Sequence, residues 1–159
     1  MTGSLADEQA AHKQFSVACF NQAWDLLDTT DRTAEQDEEM LRLSVASTWH
    51  WTKRTDCTEE NLSVGLWQTS RIHSVLGHFG EARRYAAMCV QESSKENVDV
   101  FFLAYAYEAV ARAEAVSGNG AAASEALTRA DELAGQVKDE DSRSMLKQDL
   151  EGLRTGWDL

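Results

Sequence analysis

Apolar residues recur every three to four positions along almost the whole chain, the spacing of helices buried on one side. No segment shows a strand's alternation. The pattern predicts an all-α protein of about seven helices. The first opens at Ser4 with Asp7 and runs to about Leu27, with Phe15, Cys19, Gln22 and Leu26 on one stripe and Phe20, Trp24 and Leu27 on the next. A polar turn, Asp28 to Thr33, precedes the second, which runs to about Lys53. Thr33 and Gln36 form a capping box there: the hydroxyl accepts from an early amide while the glutamine reaches back. The third starts between Thr58 and Leu62 and ends at Gly77; the fourth follows Gly80 and spans Glu81 to about Ser94. Asp99 caps the fifth, Val100 to Ser117, and Gly118-Asn-Gly120 ends it. The sixth runs from Ala121 to about Val137. Ser142 caps the seventh, which reaches about Leu153. No connection is long enough to divide the chain, so residues 1–159 read as one domain.

The helices are not independent of one another. Leu66, Trp67, Ser70, Gly77, Ala82, Ala86 and Cys89 have counterparts in Tyr107, Glu108, Ala111, Gly118, Ala123, Leu127 and Ala130, offset by 41 residues. In both copies a glycine closes the first helix and an alanine follows five residues later. Small residues at these seams let two helix backbones approach closely. The pattern resembles the tetratricopeptide (TPR) repeat over roughly residues 62–137, with 138–159 as a capping helix and tail. The second copy carries the large, apolar, small and glycine positions of that motif. The first departs at Thr69 and places Trp67 one position late, and neither copy has the closing proline. Trp67-Gln-Thr-Ser-Arg71, Leu76-Gly77 and Glu108-Ala-Val-Ala-Arg112 are also similar to segments of an uncharacterised group of bacterial TPR-like proteins, which extends the likeness back to about Trp49. The resemblance implies an α-α superhelix whose first helices line a concave side.

Composition narrows the function classes. Hydrophobic residues make up 43% and charged residues 26%, an ordinary globular balance, and proline is absent. The formal net charge of -12 opposes non-specific binding to nucleic acid or to anionic lipid. Nine acids against two bases fall in residues 1–41, and twelve against six in 98–159. The middle is nearly neutral and is where an acidic partner would be tolerated. Cys19, Cys57 and Cys89 are widely spaced and suit buried free thiols in a reducing compartment. The polar, acidic start lacks the basic residues and apolar run of a signal peptide, and no apolar run is long enough for a membrane span. These features predict a cytoplasmic protein.

Templates for zinc, di-iron, phosphate-loop and serine chemistry are absent, and His73 and His78 are five apart, on different helix faces. The sequence therefore predicts a binding protein rather than an enzyme, with no metal and no cofactor. One constellation merits a role. Trp67 and Arg71 share a face, as do Glu108 and Arg112, and His50 and Trp51 sit near the end of the second helix. On a concave side Arg71 and Glu108 would face each other, with Trp51 and Trp67 alongside. Such a surface would hold a peptide or a small acidic ligand, because a guanidinium takes a carboxylate in two hydrogen bonds and indoles add flat apolar area. Three readings stay open: a TPR-like scaffold for a protein or peptide partner, a small-molecule pocket around His50, Arg71 and Glu108, or a homodimer built on aromatics such as Phe101 and Phe102. The same Arg and Glu also fit a structural ion pair. Trp157 and Leu159 are placed to cap the stack or seal a dimer.

Overall fold

A computed structural model describes residues 4–156, so the expected docking of Trp157 and Leu159 lies outside the described residues. Among those described there are seven helices and no strand: α1 (Leu5–Leu27), α2 (Ala34–Thr52), α3 (Glu59–Val75), α4 (Phe79–Ser93), α5 (Val100–Val116), α6 (Gly120–Ala134) and α7 (Glu140–Gly156). α1, α3 and α5 each pack on the helix that follows. α3 also packs on α2 and α5, α4 on α5, and α7 on both α5 and α6.

Local chemistry sets the helix ends. Ser4 with Asp7, Thr33 with Gln36 and Thr58 with Asn61 all form capping boxes. At the far ends of α3 and α5 the chain turns through Gly77 (φ 73°) and Gly118 (φ 78°), a conformation that costs other residues a Cβ clash. Around Gly77, His78 N donates to His73 O at 2.9 Å and Gly77 N to Ser74 O at 3.3 Å. Around Gly118, Asn119 N donates to Glu114 O at 2.9 Å and Gly118 N to Ala115 O at 3.0 Å. Both are Schellman turns, and they repeat at the offset seen in the sequence. Several expected boundaries move: α6 stops at Ala134 rather than about Val137, and α7 runs on to Gly156 rather than about Leu153. The Gly77 turn feeds straight into α4, which starts at Phe79 and takes Gly80 into its first turn. Asp139 rather than Ser142 caps α7, its Oδ1 accepting from Ser142 N at 2.8 Å.

The interior has two characters. Between α5, α6 and α7 it is leucine and alanine, with Leu127, Leu133, Leu146, Leu150 and Leu153 all buried. Around α3 it is largely small and polar: Ser63, Gln68, Thr69, Ser70 and Ser74 are buried there. Most of these groups find partners. Ser44 and Thr69 hydroxyls meet at 2.6 Å, Ser63 and Ser93 at 2.6 Å, and Ser70 Oγ donates to Ala82 O at 2.9 Å. That last bond crosses the α3–α4 seam at Ser70 and Ala82, whose sequence counterparts lie 41 residues on. The equivalent Ala111 and Ala123 are fully buried between α5 and α6. The stripe expected on α1 is rotated: Ser16 and Ala23 are its buried residues, while Phe15 is 46% exposed and Gln22 exposed.

At Gly65, α3 lies close against Thr48 of α2. A Cβ there would lie 2.5 Å from Thr48 Oγ1 and 3.4 Å from Thr48 Cβ. Gly65→Ala is expected to lower stability by about 1–3 kcal/mol in urea unfolding. Adding Thr48→Ala, which removes the clashing hydroxyl, should return part of that loss. An additive pair would show that contact with Thr48 is not the cause.

Candidate functional site

α3, α5 and α7 enclose a polar cleft of about 250 Å³. Its floor follows from spacing. Trp67 and Arg71 stand one turn apart on α3, Glu108 and Arg112 one turn apart on α5, and the helices lie side by side. Trp67 Nε1 donates to Glu108 Oε2 at 2.7 Å, and Arg112 Nε donates to Glu108 Oε1 at 3.1 Å. Glu108 is 1% exposed, so both carboxylate oxygens are occupied and its buried charge is matched by Arg112. Across the cleft, Tyr105 donates its hydroxyl to Asp149 of α7 at 2.6 Å. Burial first, and then the Asp149 bond, hold that phenol well above its usual range.

Arg71 differs from the cleft's other charged groups. Among the described residues its half-buried guanidinium has neither a hydrogen bond nor an ion pair. It rests instead near two indoles, 5.2 Å from the Trp24 ring centroid and 5.7 Å from that of Trp67. Burial lowers its pKa, as does neighbouring Arg112; Glu108, Asp149 and Asp28 offset this in part. A second cavity of about 290 Å³ adjoins the cleft and shares Trp67, Tyr105 and Asp149 with it. Its remaining wall is mainly Val64, Phe101, Phe102 and Met145. Phe101 and Phe102 are thus half-buried wall residues rather than the exposed aromatics expected for a dimer contact.

Four of the six sequence candidates, Trp67, Arg71, Glu108 and Arg112, therefore come together. Arg71 and Glu108 both line the cleft but do not form the ion pair of the alternative reading, since Trp67 and Arg112 have taken the carboxylate. The pocket lies between α3, α5 and α7, and not between the second, third and fifth helices. His50 and Trp51 lie elsewhere. Trp51 sits under Arg54, with its guanidinium carbon 3.6 Å from the ring centroid, and lines a separate cavity with Val17, Phe20 and Val64. His50 Nδ1 is 2.8 Å from His12 Nδ1. The sequence reading missed Trp24, Tyr105 and Asp149 as parts of the site. The one-turn spacing of Phe101, Tyr105 and Glu108 on α5 was a signal for Tyr105; nothing local pointed to Asp149.

All four histidines are paired, since His73 Nδ1 is 3.2 Å from His78 Nδ1. Burial, and then the partner imidazole, lowers the pKa of both His50 and His73; for His73, Arg84 adds to the effect and Glu81 opposes it. Cys89 is buried beside Ser63, its thiol pushed up to about 11 chiefly by burial, whereas Cys19 and Cys57 are only half-buried. Among the described residues no three His, Cys, Asp or Glu side chains cluster as metal ligands, and no helix is long and apolar enough to cross a membrane. The cleft itself offers a cation, aromatic faces and occupied carboxylates, a set suited to holding an anion. No family model, no curated protein and no solved structure matches this chain.

Two outcomes are expected. Glu108→Ala leaves the Trp67 N–H and Arg112 without their acceptor and should cost about 3 kcal/mol in urea unfolding. Glu108→Gln keeps an acceptor for the indole and should cost less. The histidine pairs also give stability a pH dependence. The folded pKa values of His50 and His73 lie below the ordinary 6.5, so the unfolded chain binds protons more readily at these two residues. Their contribution is full above about pH 6.5 and declines as pH falls below it. The urea midpoint should therefore drop between about pH 7.5 and about pH 5.5. His73→Gln should make that slope shallower, and an unchanged slope would rule out the His73–His78 pair as a source.

Proposed function

We propose that the chain is a helical binding scaffold, TPR-like in its pairing of helices, whose α3–α5–α7 cleft captures a carboxylate-bearing partner. The observation that carries this reading is Arg71, a half-buried guanidinium beside two indoles with no partner among the described residues. A desolvated cation regains favourable electrostatics only when an anion arrives, and a planar fork suits a carboxylate. The two Schellman turns and the small-residue seams, repeated at one offset, support the TPR-like reading. Glu108 and Arg112 fix the floor, so the binding geometry is present before the ligand enters.

Paired acids and their neutral amides, titrated calorimetrically, test this reading. The wild-type chain should prefer acid over amide by about tenfold or more, and Arg71→Gln should erase most of that preference. Equal affinity for acid and amide, or a preference that survives Arg71→Gln, would sink it.

A further inference from the structure

Resting on the carboxylate reading above, we infer that the ligand is a small amphipathic acid, with its carboxylate at Arg71 and its apolar body in the adjoining pocket walled by Val64, Phe101, Phe102 and Met145. The two cavities meet at Trp67, Tyr105 and Asp149, where the Trp67–Tyr105 ring contact and the Tyr105–Asp149 bond run between α3 and α7, and a molecule in both lies across this line. The polar groups on the apolar pocket's wall are few, and most have a partner already, the Trp67 N–H being given to Glu108. Ser63 is buried with its hydroxyl 2.6 Å from Ser93 Oγ, and Asp149 accepts from Tyr105. A peptide threaded there would bring an N–H and a C=O with each residue and find few partners for them. A hydrocarbon body brings none, and it covers aromatic and aliphatic surface that is otherwise wet. The cation beside the pocket orients such a molecule acid-first toward α3. Asp149 opposes it: this carboxylate lies on the shared wall and repels an incoming one.

The test is a calorimetric series of butanoate, hexanoate and octanoate, with octanol and a polar Gly-Ser-Gly-Asp peptide as comparison probes. Helical circular dichroism confirms that each variant folds. Affinity should rise by about threefold per methylene along the series, and octanoate should bind better than octanol. Arg71→Gln should weaken octanoate by about tenfold or more. Asp149→Asn should strengthen it, a gain that misfolding does not produce. Met145→Gln, uncharged and on an exposed position of α7, should flatten the chain-length dependence.

The opposite results separate the two claims. If chain length makes no difference, or the polar peptide binds as tightly as octanoate, the amphipathic inference is overturned. The carboxylate reading then still stands provided Arg71→Gln weakens those probes. If Arg71→Gln changes nothing, or no probe binds at millimolar concentration, both fall.

Discussion

The fold depends on how α3 is accommodated. It packs on α2, α4 and α5, and touches α1 through Gln68 Nε2, which donates to Phe20 O at 3.0 Å. A helix so enclosed would ordinarily be apolar all round. Here its buried surface is mostly Ser, Thr, Gln and Gly. Small side chains bring the neighbouring backbones close, and closeness lets the Ser63, Thr69 and Ser70 hydroxyls reach partners on α4 and α2. The arrangement demands specific geometry, because a hydroxyl moved out of reach becomes a buried, unsatisfied group. Gln68 Oε1 is the one buried side-chain atom among the described residues left without a partner.

The cleft inherits its geometry from this packing. With Ser63, Ser70 and Ser74 committed to the interior, the remaining face of α3 presents Trp67 and Arg71 outward. α5 presents Glu108, 41 residues after Trp67, and the two side chains bond directly. Arg112 neutralises that acid. Of the two guanidiniums beside one buried carboxylate, Arg71 is the one left without a direct partner among the described residues.

The helix spans were legible because periodicity and caps are local signals. Thr33, Asp99 and Gly118 act where their chemistry placed them. The start of α4 was not legible, because Gly80 resembles a boundary while the Schellman turn at Gly77 already supplies one. Four of the six site candidates were readable from spacing and the repeat offset. His50 and Trp51 were grouped with them in error: proximity between separate helices depends on which faces turn toward each other, and α2 turns these residues toward His12 and Arg54. Asp149 reaches the cleft only because α7 crosses beside α5, a tertiary fact with no local signature.

The contrast between the two interiors bears on how the molecule breathes. The leucine-rich cluster over α5–α7 gathers eleven buried residues, against three in the cluster joining α1, α2 and α3. Local opening is cheapest where buried apolar area is least. Backbone amides of α1 and α2 therefore exchange with solvent through partial opening events that leave α5, α6 and α7 closed. The α5 and α7 walls of the cleft stand in the slow-exchanging half, whereas α3 and Trp24 border the part that opens first.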